Sequence, residues 1–423
     1  MAQMQIPTIA PALNQIVGDL RTQYETQLTA YNAVAKRGKK DFVNGKGERI
    51  PSKFRRPTGI TAHQEGGSFN APGNPRLDDM YVYPLAISLA YDLSGRVIRN
   101  FNAGSEYSQI EGMSDYLADV AAALQKDIER NMFGNGQGSR AIAVSGAGST
   151  ITCATAAAAT YGSTKGATHI EIGENYDVIV AATGVVRGTV RVTAKTNTTF
   201  TGTFSNGMAD ATTTGAGDFI VPQGGYLNFP RGFAYLINND TAFFQGLSRG
   251  TYGELRSSVV DLAGNSQTVS DFNQAVAFLQ IRGDVLGPQS GVASWMPVCQ
   301  EANMLRLGQN LKRFTGSEKN FDGSFTTFGY GNLTINVCKD MDEDRTYFTR
   351  MEDLFNLEEM PFGVYDLDGN QLRMKAGSNG VGADAYTGAM GVQFNLGIGQ
   401  PRLHTLIQRA QTTALPTEVL AFA

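Results

Sequence analysis

The residues able to do chemistry are few and scattered. The 423-residue chain holds three histidines, His63, His169 and His404, in three segments of different texture, and no HExxH or paired-histidine spacing. Cys153, Cys299 and Cys338 form no CxxC pair, so they read as reduced thiols of a protein made in cytoplasm. There is no GxSxG nucleophile turn, no protein-kinase signature set and no GxxxxGK[ST] phosphate loop. The glycine-rich run Ser145-Gly146-Ala147-Gly148-Ser149 leads into a Thr/Ala-rich stretch, not a helix, and lacks the helix N-terminus a phosphate cradle needs. Asp366-Leu367-Asp368-Gly369-Asn370 begins like a calcium loop, but Gln371 and Gly377 stand where that loop needs glycine and glutamate, so it reads as a tight Asp-Gly turn. The acidic run Asp340-Met341-Asp342-Glu343-Asp344 has the charge to gather a cation, yet carboxylates clustered in a loop are ordinarily solvated. A general acid–base pair is set by spacing in three dimensions, and nothing in the sequence points to one. The expectation is a protein that is not an enzyme, with no catalytic, cofactor-binding or metal-binding residue.

What the pattern does carry is charge asymmetry. Net charge is −4, but between Lys36 and Arg56 nine basic residues (Lys36, Arg37, Lys39, Lys40, Lys46, Arg49, Lys53, Arg55, Arg56) face two acidic ones, Asp41 and Glu48. Acid collects later, at 340–344 and at Glu352-Asp353 and Glu358-Glu359. A chain with a basic arm and distant acidic patches can be complementary to copies of itself. A solvated loop and a nucleic-acid contact are the other readings of the same charges. The residues expected to act between copies are Lys36, Arg37, Lys39, Lys40, Lys53, Arg55, Arg56, Asp342, Glu343 and Asp344.

The elements that must position these charges follow from periodicity. Hydrophobic residues make up 42% and charged residues 17%, which supports a packed core. The 49 glycines have no collagen period and indicate many turns between short strands. No apolar run reaches the roughly 18 residues of a membrane span, and no signal-peptide pattern opens the chain. Leu13, Ile16, Val17, Leu20, Tyr24, Leu28, Tyr31 and Val34 predict an amphipathic helix over 9–37, with Pro11 in its first turn and Gly38 beyond its end. Residues 38–80 are rich in Gly and Pro, poor at packing a core of their own, and lead into a strand-like run at 81–91 that looks like the return leg of a long hairpin. Ser108 and Glu111 at capping-box spacing, with Met113, Tyr116, Leu117, Val120, Leu124 and Ile128 on one stripe, predict a helix over 108–133. Lys126 and Arg130 near its end suit the helix dipole. From 140 to 230 the period becomes two, predicting an all-β module with a hairpin turn at 195–198 and a closing strand at 218–221. Beyond 233 the texture is mixed: helices at 271–282, capped by Ser270, and at 301–314, and strands at 333–337 and 345–348. No repeat of about 20–50 residues appears.

This order of parts resembles the major capsid protein of tailed bacteriophages, with the Hong Kong 97-like fold and an inserted β domain. The likeness also rests on the junction Met132-Phe133-Gly134-Asn135-Gly136-Gln137-Gly138 and the later segment Phe244-Gln245-Gly246-Leu247-Ser248-Arg249-Gly250. The resemblance implies an α+β class laid out as an N-terminal arm (1–45), an extended loop (46–90), a peripheral domain (91–139) with its spine helix at 108–133, a β insertion (140–232), a return to the peripheral domain (233–264), an axial domain (265–390) and a C-terminal segment (391–423). It implies a virion protein, made in the host cytoplasm, that self-assembles into hexamers and pentamers of an icosahedral shell around double-stranded DNA. The partners it implies are other copies of the chain, a separate scaffolding protein, a portal, decoration proteins and non-specific contact with packaged DNA, with no membrane and no cofactor. Some members crosslink through a lysine and an asparagine; Lys53 lies in the corresponding loop, but no partner or activating carboxylate matches, so no crosslink is expected. An encapsulin-like compartment shell and a β-rich tail protein are the alternatives.

Overall fold

The computed structural model describes residues 29–35, 39–40, 47–95 (except 56, 61, 66, 68–70 and 72), 108–283, 291–311, 333–365, 372–376 and 382–412. The expected helix before residue 29 and the Asp-Gly turn at 366–370 lie outside these residues. Within them, α1 (Thr29–Ala35) buries Ala30, Tyr31 and Val34 in the main core, and β1 (Lys39–Lys40) follows. β2 (Glu48–Arg55) and β3 (Arg76–Val82) form an antiparallel two-stranded ribbon, continued by a bridge between Thr58 and Gly73. β4 (Leu85–Ser94) belongs to a different sheet. The run at 81–91 is therefore not one strand. Pro84 has no N–H to give to a ladder, and the chain changes sheets there.

The helix α2 runs Ser108–Met132. Leu117, Val120, Leu124, Ile128 and Met132 recur at three- and four-residue steps and are all buried. The chain then passes into a six-stranded closed barrel: β5 (Ala141–Ala147), β6 (Thr150–Cys153), β7 (Asn175–Ile179), β8 (Val186–Lys195), β9 (Thr199–Ser205) and β10 (Phe219–Pro222). The order is β10-β5-β6-β9-β8-β7, with β10 pairing both β5 and β7 to close the ring. Closure removes the free strand edges that a small sheet would otherwise expose. The barrel has its own core, including Tyr176, Val178, Val190, Val192, Phe200 and Ile220. Its two connections are tied together. Asn135 bridges Arg231, and the Gly232 N–H donates to the Gly134 carbonyl at 3.0 Å. Gly138 has φ +72°, and a Cβ there would lie 2.2 Å from the Phe229 ring, so this neck requires glycine.

After the barrel come α3 (Phe233–Leu236) and the short hairpin β11 (Phe243–Phe244) and β12 (Leu247–Ser248). β13 (Ser258–Asp261), α4 (Val269–Gly283), β14 (Val292–Pro297), α5 (Val298–Leu311), β15 (Thr334–Cys338) and β16 (Thr346–Arg350) lead to β17 (Leu354–Val364), β18 (Arg373–Ala376), β19 (Gly382–Ile398) and β20 (Thr405–Gln408). Two five-stranded sheets result. One is mixed, in the order β13-β20-β16-β14-β15; in the other, β19 pairs β17, β18 and β4, and β1 runs parallel to β17. The cap of α4 is not Ser270. Thr268 and Asp271 cap it reciprocally: the Thr268 N–H donates to Asp271 Oδ2 at 2.7 Å and the Asp271 N–H to Thr268 Oγ1 at 3.4 Å. The main core joins the body around Phe133, Phe233, Trp295 and Tyr347; Phe133 meets Phe233 edge-on at 5.4 Å. The class is mixed α and β.

Candidate functional site

The ribbon β2–β3 carries the described part of the basic stretch. Its alternation turns Arg49, Lys53 and Arg55 outward, while Ile50 and Phe54 turn toward the body. On β3, Leu77 and Tyr81 pair with Lys53 and Arg49 and are exposed beside them, so one face is cationic with apolar and aromatic members. Asp79 neutralises Arg49 across a 2.6 Å ion pair. The other face docks on Tyr252: its ring lies 4.6 Å from that of Phe54 and 4.1 Å beneath the Arg76 guanidinium, and its hydroxyl donates to Asp78. The Tyr81 N–H donates to the Gln245 carbonyl at 2.8 Å, which fixes the base of the ribbon to the β11–β12 turn. A cleft of about 360 Å³ opens where β2 meets the body, lined by residues that include Lys53, Glu254, Asp353 and Arg402.

Of the residues expected to act between copies, Lys53 and Arg55 are on this exposed face. Lys39 and Lys40 place their backbones beside Asn356 and Leu357 in β1. Lys36, Arg37 and Arg56 lie outside the described residues. The acidic members differ from expectation. Asp342 and Asp344 are 1% and 0% exposed, and Glu343 is only partly exposed. The acidic run turns inward toward counter-charges: Lys165 of the barrel, Arg130 of α2 and Arg345 of the turn itself.

That contact is a buried ion joint between barrel and body. The loop 158–165 of the barrel sits on the turn 340–345. The Gly162 N–H donates to Asp342 Oδ2 at 2.6 Å, the Glu343 N–H to Thr164 Oγ1 at 3.2 Å, and Arg345 to the Ala159 carbonyl at 2.7 Å. Lys165 lies 3.6 Å from Asp342 and donates to the Tyr161 hydroxyl at 2.8 Å. Arg345 stands between Asp342 (3.5 Å) and Asp344 (3.8 Å). A more open ring surrounds this centre: Arg130 of α2 reaches Asp127, Glu171 and Asp340, Arg140 reaches Asp127, and Lys195 reaches Glu171. Arg130 is 4% exposed, so it does more than complement the helix dipole. Its neighbour Glu129 accepts the Ala30 N–H at 3.0 Å and seats α1; burial pushes the Glu129 carboxyl up to about 7. Burial, then the Asp342 charge, pushes Asp344 up to about 7. Burial, then Lys165, drives His169 well below its ordinary value. Spacing in sequence gives no signal for Lys165, Tyr161 or Arg140, which meet residues about 180 positions away or sit at the neck.

Among the described residues no three His, Cys, Asp or Glu side chains are placed to hold a metal, and no helix is long and apolar enough to cross a membrane. Cys153, Cys299 and Cys338 are free and buried, and burial raises the first two thiols to about 12. His404 donates to or accepts from Asp353 at 3.1 Å; His63 is exposed and His169 lies in the barrel, so the three do not meet.

No model of a known protein family matches the sequence, and no curated protein is similar to it. Solved structures are similar. The capsid asymmetric unit of cyanophage A-1(L) matches with a TM-score of 0.54 at 12% identity, covering 90% of this chain and 92% of that one. A structure from Gordonia phage Cozz matches with a TM-score of 0.43 at 10% identity over 90% and 86% of the two chains. The capsid of a native GTA particle gives 0.44 at 9% identity over 90% of both. By the first of these, the chain has a phage capsid-protein fold along nine-tenths of its length.

Proposed function

We propose that this chain is the major capsid protein of a tailed phage, a shell subunit that works by binding copies of itself. The observation that carries the reading is the likeness to the cyanophage capsid, which takes in nine-tenths of both chains. The geometry supports it. The ribbon β2–β3 stands its cationic face outward and docks on Tyr252 along its other face. A surface of this kind needs a partner, and a shell supplies the same one at every position. Each exposed ion pair contributes only about 0–1 kcal/mol, so the contact acts by repetition around a ring and across a lattice.

In this reading the subunit follows the Hong Kong 97-like plan. The arm spans 1–45, the extended loop 46–90 and the peripheral domain 91–139 around α2. The barrel is the insertion at 140–232. The peripheral return (233–264), axial domain (265–390) and C-terminal segment (391–423) complete it. Capsomers are hexamers and pentamers enclosing double-stranded DNA, with scaffolding, portal and decoration proteins as further partners. The virion is its destination, and synthesis takes place in the host cytoplasm. The test is sedimentation and electron microscopy of the full chain after expression. Closed particles with five- and six-fold capsomers are expected. Helical tubes, or a monomer that never assembles with or without co-expressed phage proteins, overturn the proposal.

A further inference from the structure

The joint between barrel and body has an unusual interior. Asp344 is fully buried, and neither of its carboxylate oxygens has a hydrogen-bond partner. The N–H groups of Asp344 itself and of Ala158 in the barrel loop face it without reaching hydrogen-bond geometry. Asp342 has one oxygen held by the Gly162 N–H and the other unpartnered at 3.6 Å from Lys165. The two carboxyl groups share a single guanidinium, and the Arg345 Nε between them is itself without a hydrogen bond. A buried carboxyl lacking hydrogen bonds is disfavoured far more as an anion than in its protonated, neutral form. The groups that face this centre come from every side. The turn supplies Asp340, Asp342, Glu343 and Arg345, and β16 supplies Tyr347. The barrel supplies Tyr161, Lys165 and His169, α2 and the neck supply Arg130 and Arg140, and α5 supplies Cys299.

We propose that the barrel is seated on the body through a proton: the joint closes with a proton held on the Asp344 carboxyl and loosens as that proton leaves to solvent. This stands whether or not the chain builds a shell. Burial and the neighbouring Asp342 charge raise this carboxyl to about 7 in the seated state, against about 3.9 for a free aspartate. The seated joint therefore binds the proton more tightly than the open one. Its contribution is full below about pH 4, weakens about tenfold per pH unit above that, and is gone once pH passes about 7. The seat is firmest in acid. Lys165 has the opposite sign, because burial lowers its hold on a proton, but its effect is separable from that of Asp344 by substitution.

Hydrogen–deuterium exchange of the full chain from about pH 4.5 to 8, corrected for intrinsic rates, tests this. Peptides covering 158–165 and 340–347 are expected to lose protection about tenfold per pH unit between about 5 and 6.5 and to level off above about 7. Asp344→Asn, which keeps the shape and cannot ionise, is expected to abolish that slope. Tyr161→Phe removes a hydrogen bond of the same joint, so it should lower protection at every pH and keep the slope. Flat protection in the unaltered chain overturns the proposal. So does a full slope in Asp344→Asn, or an equal slope in the buried strands β8 and β14, which would make the effect global.

Discussion

Arg249 shows how a short sequence segment becomes a structural demand. Its guanidinium is 1% exposed and donates to the carbonyls of Leu255, Tyr235 and Leu236 and to Asp240, while lying 4.4 Å over the Phe244 ring. Gln245 and Gly246 both have positive φ, +47° and +90°, as a two-residue type I′ hairpin requires. The segment Phe244–Gly250 thus holds the turn that receives Tyr81 from the ribbon. Arg249→Met leaves three buried carbonyls and a carboxylate without their donor. It is expected to lower unfolding stability by about 3–5 kcal/mol in urea titrations followed at Trp295, the single tryptophan. A loss under about 1 kcal/mol contradicts this account of the segment. The acidic run at 340–344 was legible as charge, and its burial was not. Carboxyl groups turn inward when a cation or a proton neutralises them, and Lys165 arrives from a barrel loop whose distance in sequence hides it.

At the level of elements, period was the reliable signal wherever one face alone meets a core. The stripe from Leu117 to Ile128 places a helix at 108–133, and the structure has one at Ser108–Met132. Alternation at 190–204 likewise becomes β8 and β9. Ends and breaks were harder, because they turn on single hydrogen bonds: Pro84 divides β3 from β4, and Thr268 displaces Ser270 as a cap. Two predictions belong here. Lys53→Glu with Arg55→Glu reverses the exposed face of β2 without touching the Tyr252 contact. Assembly yield measured by light scattering should fall, and its dependence on salt should weaken or invert, because screening acts on that face; unchanged yield and salt response would mean these charges are only solvated. Phe200→Ala empties the barrel core and should cost about 3–5 kcal/mol of barrel protection in hydrogen exchange. The strands β14–β16 should keep theirs if the barrel opens as its own unit; equal loss in both would show one cooperative block.

For the whole molecule, the passage from α2 to the barrel and back to mixed α and β was readable from changes in texture, since each change marks a different burial problem. How the parts join was not. α1 shows this: Ala30, Tyr31 and Val34 are buried in the body and Glu129 accepts the Ala30 N–H. Removing residues 1–50 would take α1 out of the core, so it does not isolate assembly. The most direct test of the central claim is a cryo-electron microscopy reconstruction of the particles formed by the full chain. The account predicts a closed icosahedral shell of pentamers and hexamers, with each ribbon β2–β3 laid against a neighbouring subunit and each barrel seated on its own. A particle of helical symmetry, or a closed shell in which the ribbon touches no other subunit, would contradict it.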